Sequence, residues 1–202
     1  MPTFAAGLHL HVVSLGHTHR ICAVWRVVAW RVGSPLGAPA DDPPCAFSGA
    51  LLLPRRGAEQ RWAVETAVAT LDEGDAGDGP VCVDLTTTAE GIEPGAVRPG
   101  LCRSEELLEL ARAATGDGQR EWADLARDAP AAFHARAADP YPLQRHAAAV
   151  TLRSPDGPGS PDRRVRLLHR RPQDVLRGYT TALLANAASD ATTPDATRPR
   201  RP

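Results

Sequence analysis

The sequence predicts a three-layer α/β domain: a mixed β-sheet that begins with an antiparallel three-stranded meander, helices on both faces, and an extra C-terminal β-hairpin and helix. Three observations carry that expectation. Residues 8–14 and 20–32 are rich in Val, Leu, Ile and Trp, which suit a pleated, half-buried surface, and Gly16 lies in the turn between them. Val64, Ala67, Val68 and Leu71 recur at i, i+3, i+4 and i+7, the single apolar stripe of an amphipathic helix. A short apolar run over 81–85 follows that helix, and its approach through a helical crossover predicts parallel pairing.

The remaining elements follow in order. Residues 33–44 (GSPLGAPADDPP) are turn chemistry, and 45–53 reads as a third strand stopped by Pro54. The first helix spans about 57–73 and ends in the loop GDAGDGP. Pro94 and Pro99 predict a loop before a second helix over 104–115, where Ser104 is a good N-cap and Glu105 and Glu106 suit the positive end of the dipole. A third helical stretch over 118–138 is split by Pro130. Residues 144–154 and 163–171 alternate about PDGPGSPD as a hairpin, with Val150 and Leu152 facing Val165 and Leu167. The closing helix over 172–187 opens with Pro172 near its first position. Residues 1–187 thus read as one domain, and 188–202 as a disordered tail without apolar periodicity.

Composition sets the outer limits. A chain of 202 residues with 43% hydrophobic and 23% charged residues has the make-up of one globular domain with a buried core. Every basic residue is arginine, and a net charge of −1 hides an uneven distribution: residues 145–202 carry eleven Arg against five acids, whereas 41–144 carry nine against nineteen. A basic C-terminal third can meet an anionic partner, though the same pattern serves a solvated arginine face. Cys22, Cys45, Cys82 and Cys102 are spaced more than ten residues apart, which excludes the paired-cysteine motifs of zinc ribbons and redox sites. Three of the four fall in apolar strand-like runs, where a thiol packs as a small hydrophobe. No signal-peptide pattern and no run of about 20 apolar residues is present, so the expectation is a cytoplasmic protein with no membrane partner.

RWAVETAVATL at 61–71 and VCVDLTTTAEGI at 81–92, together with the order of elements around them, resemble the ribonuclease H-like superfamily. The resemblance implies that Asp84 occupies the strand-end aspartate that holds catalytic metal, and that Asp124, within EWADLAR, stands for the last aspartate. The resemblance puts Ser14 or a neighbour in place of the family's first-strand aspartate, and Ala63 in place of its helix glutamate. Cleavage through two divalent metals needs a cluster of carboxylates. The resemblance therefore implies a degenerate member, a non-catalytic binding module for a nucleic acid, a nucleotide or a protein partner. The bland reading of Asp84 is a residue that bonds local backbone amides.

Two further groups carry chemistry. His9 and His11, and His17 and His19, form two H-x-H pairs; side chains at i and i+2 of a strand share a face, so each pair can offer two imidazoles to a divalent metal such as zinc. A hairpin whose polar face is histidine-rich is the alternative. Arg164, Arg166, Arg170 and Arg171 form a strip on the C-terminal hairpin whose guanidinium forks suit phosphate, or else protect an edge strand. No nucleophile elbow or phosphate-cradling P-loop is present. A small enzyme with an unusual site near Asp84 and the N-terminal histidines, and an assembly subunit, stand as alternatives to the binding module.

Overall fold

In the computed structural model, residues 5–29, 47–74, 76–88, 90–152 and 163–192 are described. Strands β1 (Ala5–Leu15) and β2 (Thr18–Ala29) form an antiparallel hairpin. Gly16 turns it with a φ of 54°, a conformation open to glycine at little cost. β3 (Phe47–Leu52) pairs antiparallel with β2, and Cys45 lies outside the described residues. Helix α1 (Ala58–Gly74) then leads to β4 (Gly79–Thr87), which lies against the free side of β1.

The sequence predicts parallel pairing for β4 and hence a mixed sheet; the structure corrects this. β4 is antiparallel to β1, and all seven strands pair antiparallel in the order β5-β4-β1-β2-β3-β6-β7. The reason is the length of β3. It starts level with Ala5 and stops at Leu52, which is aligned through Trp25 with His9. α1 carries the chain onward in the same direction, so that β4 enters at Gly79 opposite Ser14 and must run back. Asp84 is also not at a strand end, because β4 continues to Thr87.

β5 (Ile92–Pro99) occupies the span expected as a loop. Proline cannot donate to a ladder, but an edge strand has one side that needs no partner, and β5 is the edge. The helices α2 (Glu105–Thr115), α3 (Gln119–Asp128) and α4 (Pro130–Arg136) follow, the last two divided at Pro130 as expected. β6 (His146–Leu152) joins β3, and β7 (Arg163–His169) forms the other edge with Val150 opposite Val165. Leu152 lies opposite Arg163 rather than an apolar partner. α5 (Pro172–Thr192) extends past residue 187, and residues 193–202 lie outside the described set.

Strand alternation divides the core. Leu8, Leu10 and Val12 of β1 pack with Ala63, Ala67 and Leu71 of α1, while Ala148, Val150 and Leu167 of the second hairpin pack with Val175 and Tyr179 of α5. Ala23, Trp25 and Cys82 pack with Leu107, Leu110 and Ala111 of α2. α3 and α4 are fastened by Arg20, buried with its guanidinium 4.0 Å from the Trp122 ring centre and donating to the carbonyls of Arg136 and Asp139. No helix among the described residues is long and apolar enough to cross a membrane.

β4 and β5 lose register between Val83 and Leu85, so Gly95 and Ala96 stand opposite Asp84 alone. This bulge lets the β5 backbone approach closely: a Cβ on Gly95 would lie 2.7 Å from the Asp84 carbonyl oxygen. Gly95→Ala is therefore expected to lower stability by about 1–3 kcal/mol in urea denaturation. Gly74→Ala, which meets nothing within 4 Å, is expected to leave the midpoint unchanged or slightly raised.

Candidate functional site

On the face of the sheet toward α2, a row of polar and sulfur-bearing side chains interrupts the apolar core. His9 and His11 stand on β1, with Asp84 and Cys82 directly opposite them on β4 and Arg98 opposite Cys82 on β5. Cys102, in the segment between β5 and α2, reaches the same place. Its backbone N–H donates to the Gln119 side-chain oxygen at 3.0 Å. The amide nitrogen of Gln119 donates in turn to the carbonyls of Val12 and Val81 at 2.9 and 3.0 Å. One buried amide thus ties the cysteine segment to the adjacent strands β1 and β4.

The result is a continuous chain of contacts. The Asp84 carboxylate accepts from His9 Nδ1 at 2.5 Å, and its other oxygen accepts from Arg98. The far nitrogen of the same imidazole, Nε2, lies 3.4 Å from Cys102 Sγ. His11 is wholly buried, its ring edge-on to His9 with centres 5.1 Å apart, and neither of its nitrogens has a hydrogen-bond partner. The Cys82 and Cys102 thiols are both free and buried.

The electrostatics follow from the contacts. Burial disfavours an imidazolium at His9, but the hydrogen bonds and charges of Asp84 and Cys102 outweigh it and raise the ring to about 9. Burial pushes the Asp84 carboxyl up, yet His9 and Arg98 hold it below its ordinary value. Cys102 is lowered, first by the hydrogen bond from Cys82 and, against burial, by His11 and His9; Cys82 is raised as the proton-bearing member of that pair. His11, lowered chiefly by burial, stays neutral. The contacts therefore favour the carboxylate of Asp84, the imidazolium of His9 and the thiolate of Cys102, in line. Such an arrangement can activate a sulfur nucleophile, with His9 as its proton carrier and Asp84 orienting the ring. His9, His11 and Cys102 also each offer a metal-ligating atom, all within 4.8 Å of one another.

The other residues singled out in the sequence lie elsewhere. His19 faces α1, bonded to Ser14 Oγ at 2.8 Å and to Asp72 at 3.1 Å, and His17, almost fully exposed, stands 3.6 Å from the same carboxylate. The alternation of β1 sends His9 and His11 to the opposite face. Asp124 is exposed on α3 and pairs with Arg127. Arg164 and Arg166 share a face of β7, as expected, but they face α2: Arg166 bonds Glu109 at 2.7 Å, and both lie about 4 Å from the buried Glu106. Arg170 and Arg171 are exposed beyond β7. A surface cleft of about 470 Å³, lined by Arg55, Arg56, Gln60 and Arg61, opens at the start of α1, away from the His9 cluster. Sequence reasoning missed Cys82, Arg98 and Cys102. Their isolated spacing gave no signal, because the ladder and the Gln119 tether bring them together.

No family model and no curated protein matches the sequence. Solved structures do match the fold. An L-amino acid ligase from Bacillus licheniformis superposes with a TM-score of 0.66 at 8% identity, over 90% of this chain and 53% of the ligase. At this identity the likeness is one of fold alone. An N5-carboxyaminoimidazole ribonucleotide synthetase solved as its ADP complex gives 0.55 at 14% identity over 93% of this chain and 50% of its own, and the enzyme from Thermotoga maritima gives 0.56 at 14% over 92% and 52%. The chain spans about half the length of these structures. They overturn the ribonuclease H-like resemblance and, with it, the degenerate ribonuclease H-like binding module. An apolar helix, a loop and a strand bearing an aspartate recur in many folds, and here the strand runs in the opposite sense to that expected.

The raised His9 carries a sign. Its contribution to stability is fully present below its ordinary value of 6.5 and is lost as pH rises through about 9. The lowered Cys102 contributes in the opposite sense, its share growing with pH up to the ordinary thiol range. In chelator-treated protein, an NMR titration of the histidine rings is expected to show His9 titrating near pH 9 and His11 titrating below its ordinary value. Asp84→Asn is expected to lower the His9 titration. A His9 that titrates normally would remove the ion-pair description.

Proposed function

We propose that this chain is a nucleotide-binding part of an ATP-dependent ligase. The observation that carries the reading is the likeness of over nine-tenths of the chain to a synthetase solved with ADP. The ligase from Bacillus licheniformis and the synthetases share a reaction class named for joining two molecules, and this chain has the length of about half of each. In this reading the sheet is the middle of three layers and opens with the β1–β2–β3 meander, with α1 and α5 over one face and α2, α3 and α4 over the other.

The chemistry of the site is compatible with the role. Nucleotide phosphates call for guanidinium groups and for a divalent ion held by one or two carboxylates. Arg98 and Asp84 supply one of each, with side chains 36% and 31% exposed, at the wetter end of the cluster. Mg²⁺ bound with the nucleotide would neutralise phosphate charge there; Asp84 would contribute an oxygen to it and Arg98 would orient a phosphate. His9, behind Asp84, fixes the carboxylate that does this.

Isothermal titration of the full chain with ADP and with ATP, each with Mg²⁺, is expected to give saturable binding and a rise in unfolding temperature. Arg98→Ala is expected to weaken it by about tenfold or more, the loss of a hydrogen bond to a charged group. Absence of both heat and thermal protection at millimolar nucleotide would overturn the reading.

A further inference from the structure

We propose that His9, His11 and Cys102 form a binding site for a borderline-soft divalent transition ion of the zinc class. This goes beyond nucleotide binding and does not depend on it. The donor set is two imidazoles and a thiolate, which selects zinc-like ions over the hard magnesium and calcium.

The three ligating atoms lie within 4.8 Å of one another, and one edge already has the length of a metal site. Zinc binds histidine nitrogen at about 2.0–2.1 Å and cysteine sulfur at about 2.3 Å, so the nitrogen-to-sulfur edge of a tetrahedral site is roughly 3.5 Å. His9 Nε2 and Cys102 Sγ lie 3.4 Å apart. His9 and His11 hold their relative positions because they are two residues apart on a central strand, and Cys102 holds its own through Gln119. Asp84 accepts from His9 Nδ1, which directs the other nitrogen toward the sulfur. That is the carboxylate–histidine relay which commonly supports a metal-bound imidazole.

His11 supplies an independent observation. It is completely buried, and both of its nitrogens lack partners, although an unsatisfied buried polar group costs about 1–3 kcal/mol. A leucine would fill the same space without that cost. An ion beside Cys102 gives one of those nitrogens a partner. Three protein ligands leave a fourth position, which suits an ion that meets an outside ligand rather than a closed structural site.

The test is a titration of the full chain with Co²⁺, followed by competition with Zn²⁺. One equivalent is expected to produce the near-ultraviolet thiolate-to-cobalt charge-transfer band. Cys102→Ser is expected to abolish the band, Asp84→Asn to weaken binding by about 10–100-fold, and His17→Ala to change nothing, each variant being checked for folding by circular dichroism. Should Cys102→Ser fail to fold, the wild-type protein decides: one equivalent of Zn²⁺ should shift the His9 and His11 ring signals and leave those of His17 and His19 in place. No charge-transfer band in folded protein, a band that survives Cys102→Ser, or shifts confined to His17 and His19 would each overturn the proposal.

Discussion

β1 and β4 pair in a register that sets His9 against Asp84 and His11 against Cys82, and the chemical character of the domain depends on that register. Side chains alternate along a strand with a period of two, so a slip of one residue would exchange the two faces of β1. Leu8, Leu10 and Val12 would then leave the α1 core, and the histidines would be driven into it. Burial of the apolar row therefore specifies the polar row as well. The bulge opposite Asp84 and the glycine that permits it complete the arrangement on the β5 side.

Placing charge on a covered sheet face is unfavourable unless each charge meets its complement. Here the complement is supplied in sequence: Arg98 and His9 to the carboxylate, His9 and Cys82 to the sulfur of Cys102. His11 is fully buried, and neither of its nitrogens has a hydrogen-bond partner. A fully buried imidazole with both nitrogens unpartnered is more readily explained by chemistry than by stability, since stability alone favours an apolar side chain there. The arginine strip of β7 shows the opposite outcome. Arg166 is paired with Glu109 of the same chain, and Arg164 and Arg166 both lie near Glu106.

Much of the element list was legible from local pattern. The stripe of Val64, Ala67 and Leu71, the cap at Ser104, the break at Pro130 and the start at Pro172 each correspond to a helix or its boundary. β5 was hidden because Pro94 and Pro99 carry a local signal for a loop, and only its place at the edge of the sheet makes them acceptable in a strand. The direction of β4 was hidden for another reason: it depends on where β3 stops and which way α1 travels, neither of which is written in hydrophobic periodicity. With that direction misjudged, a helix–loop–strand segment ending in an aspartate resembled the wrong superfamily.

Sequence alone determined that His9 and His11 share a face of a strand, because alternation is a local property of extended backbone. It also determined the helical stripes, since the period of an amphipathic helix is equally local. Tertiary structure alone decided which distant residues join those histidines. Asp84 lies 75 positions from His9 and Cys102 lies 93, and a hydrogen-bonded ladder and a single glutamine bring them into contact. Such contacts are set by how apolar faces are buried across the whole domain, so no short stretch of the chain contains them.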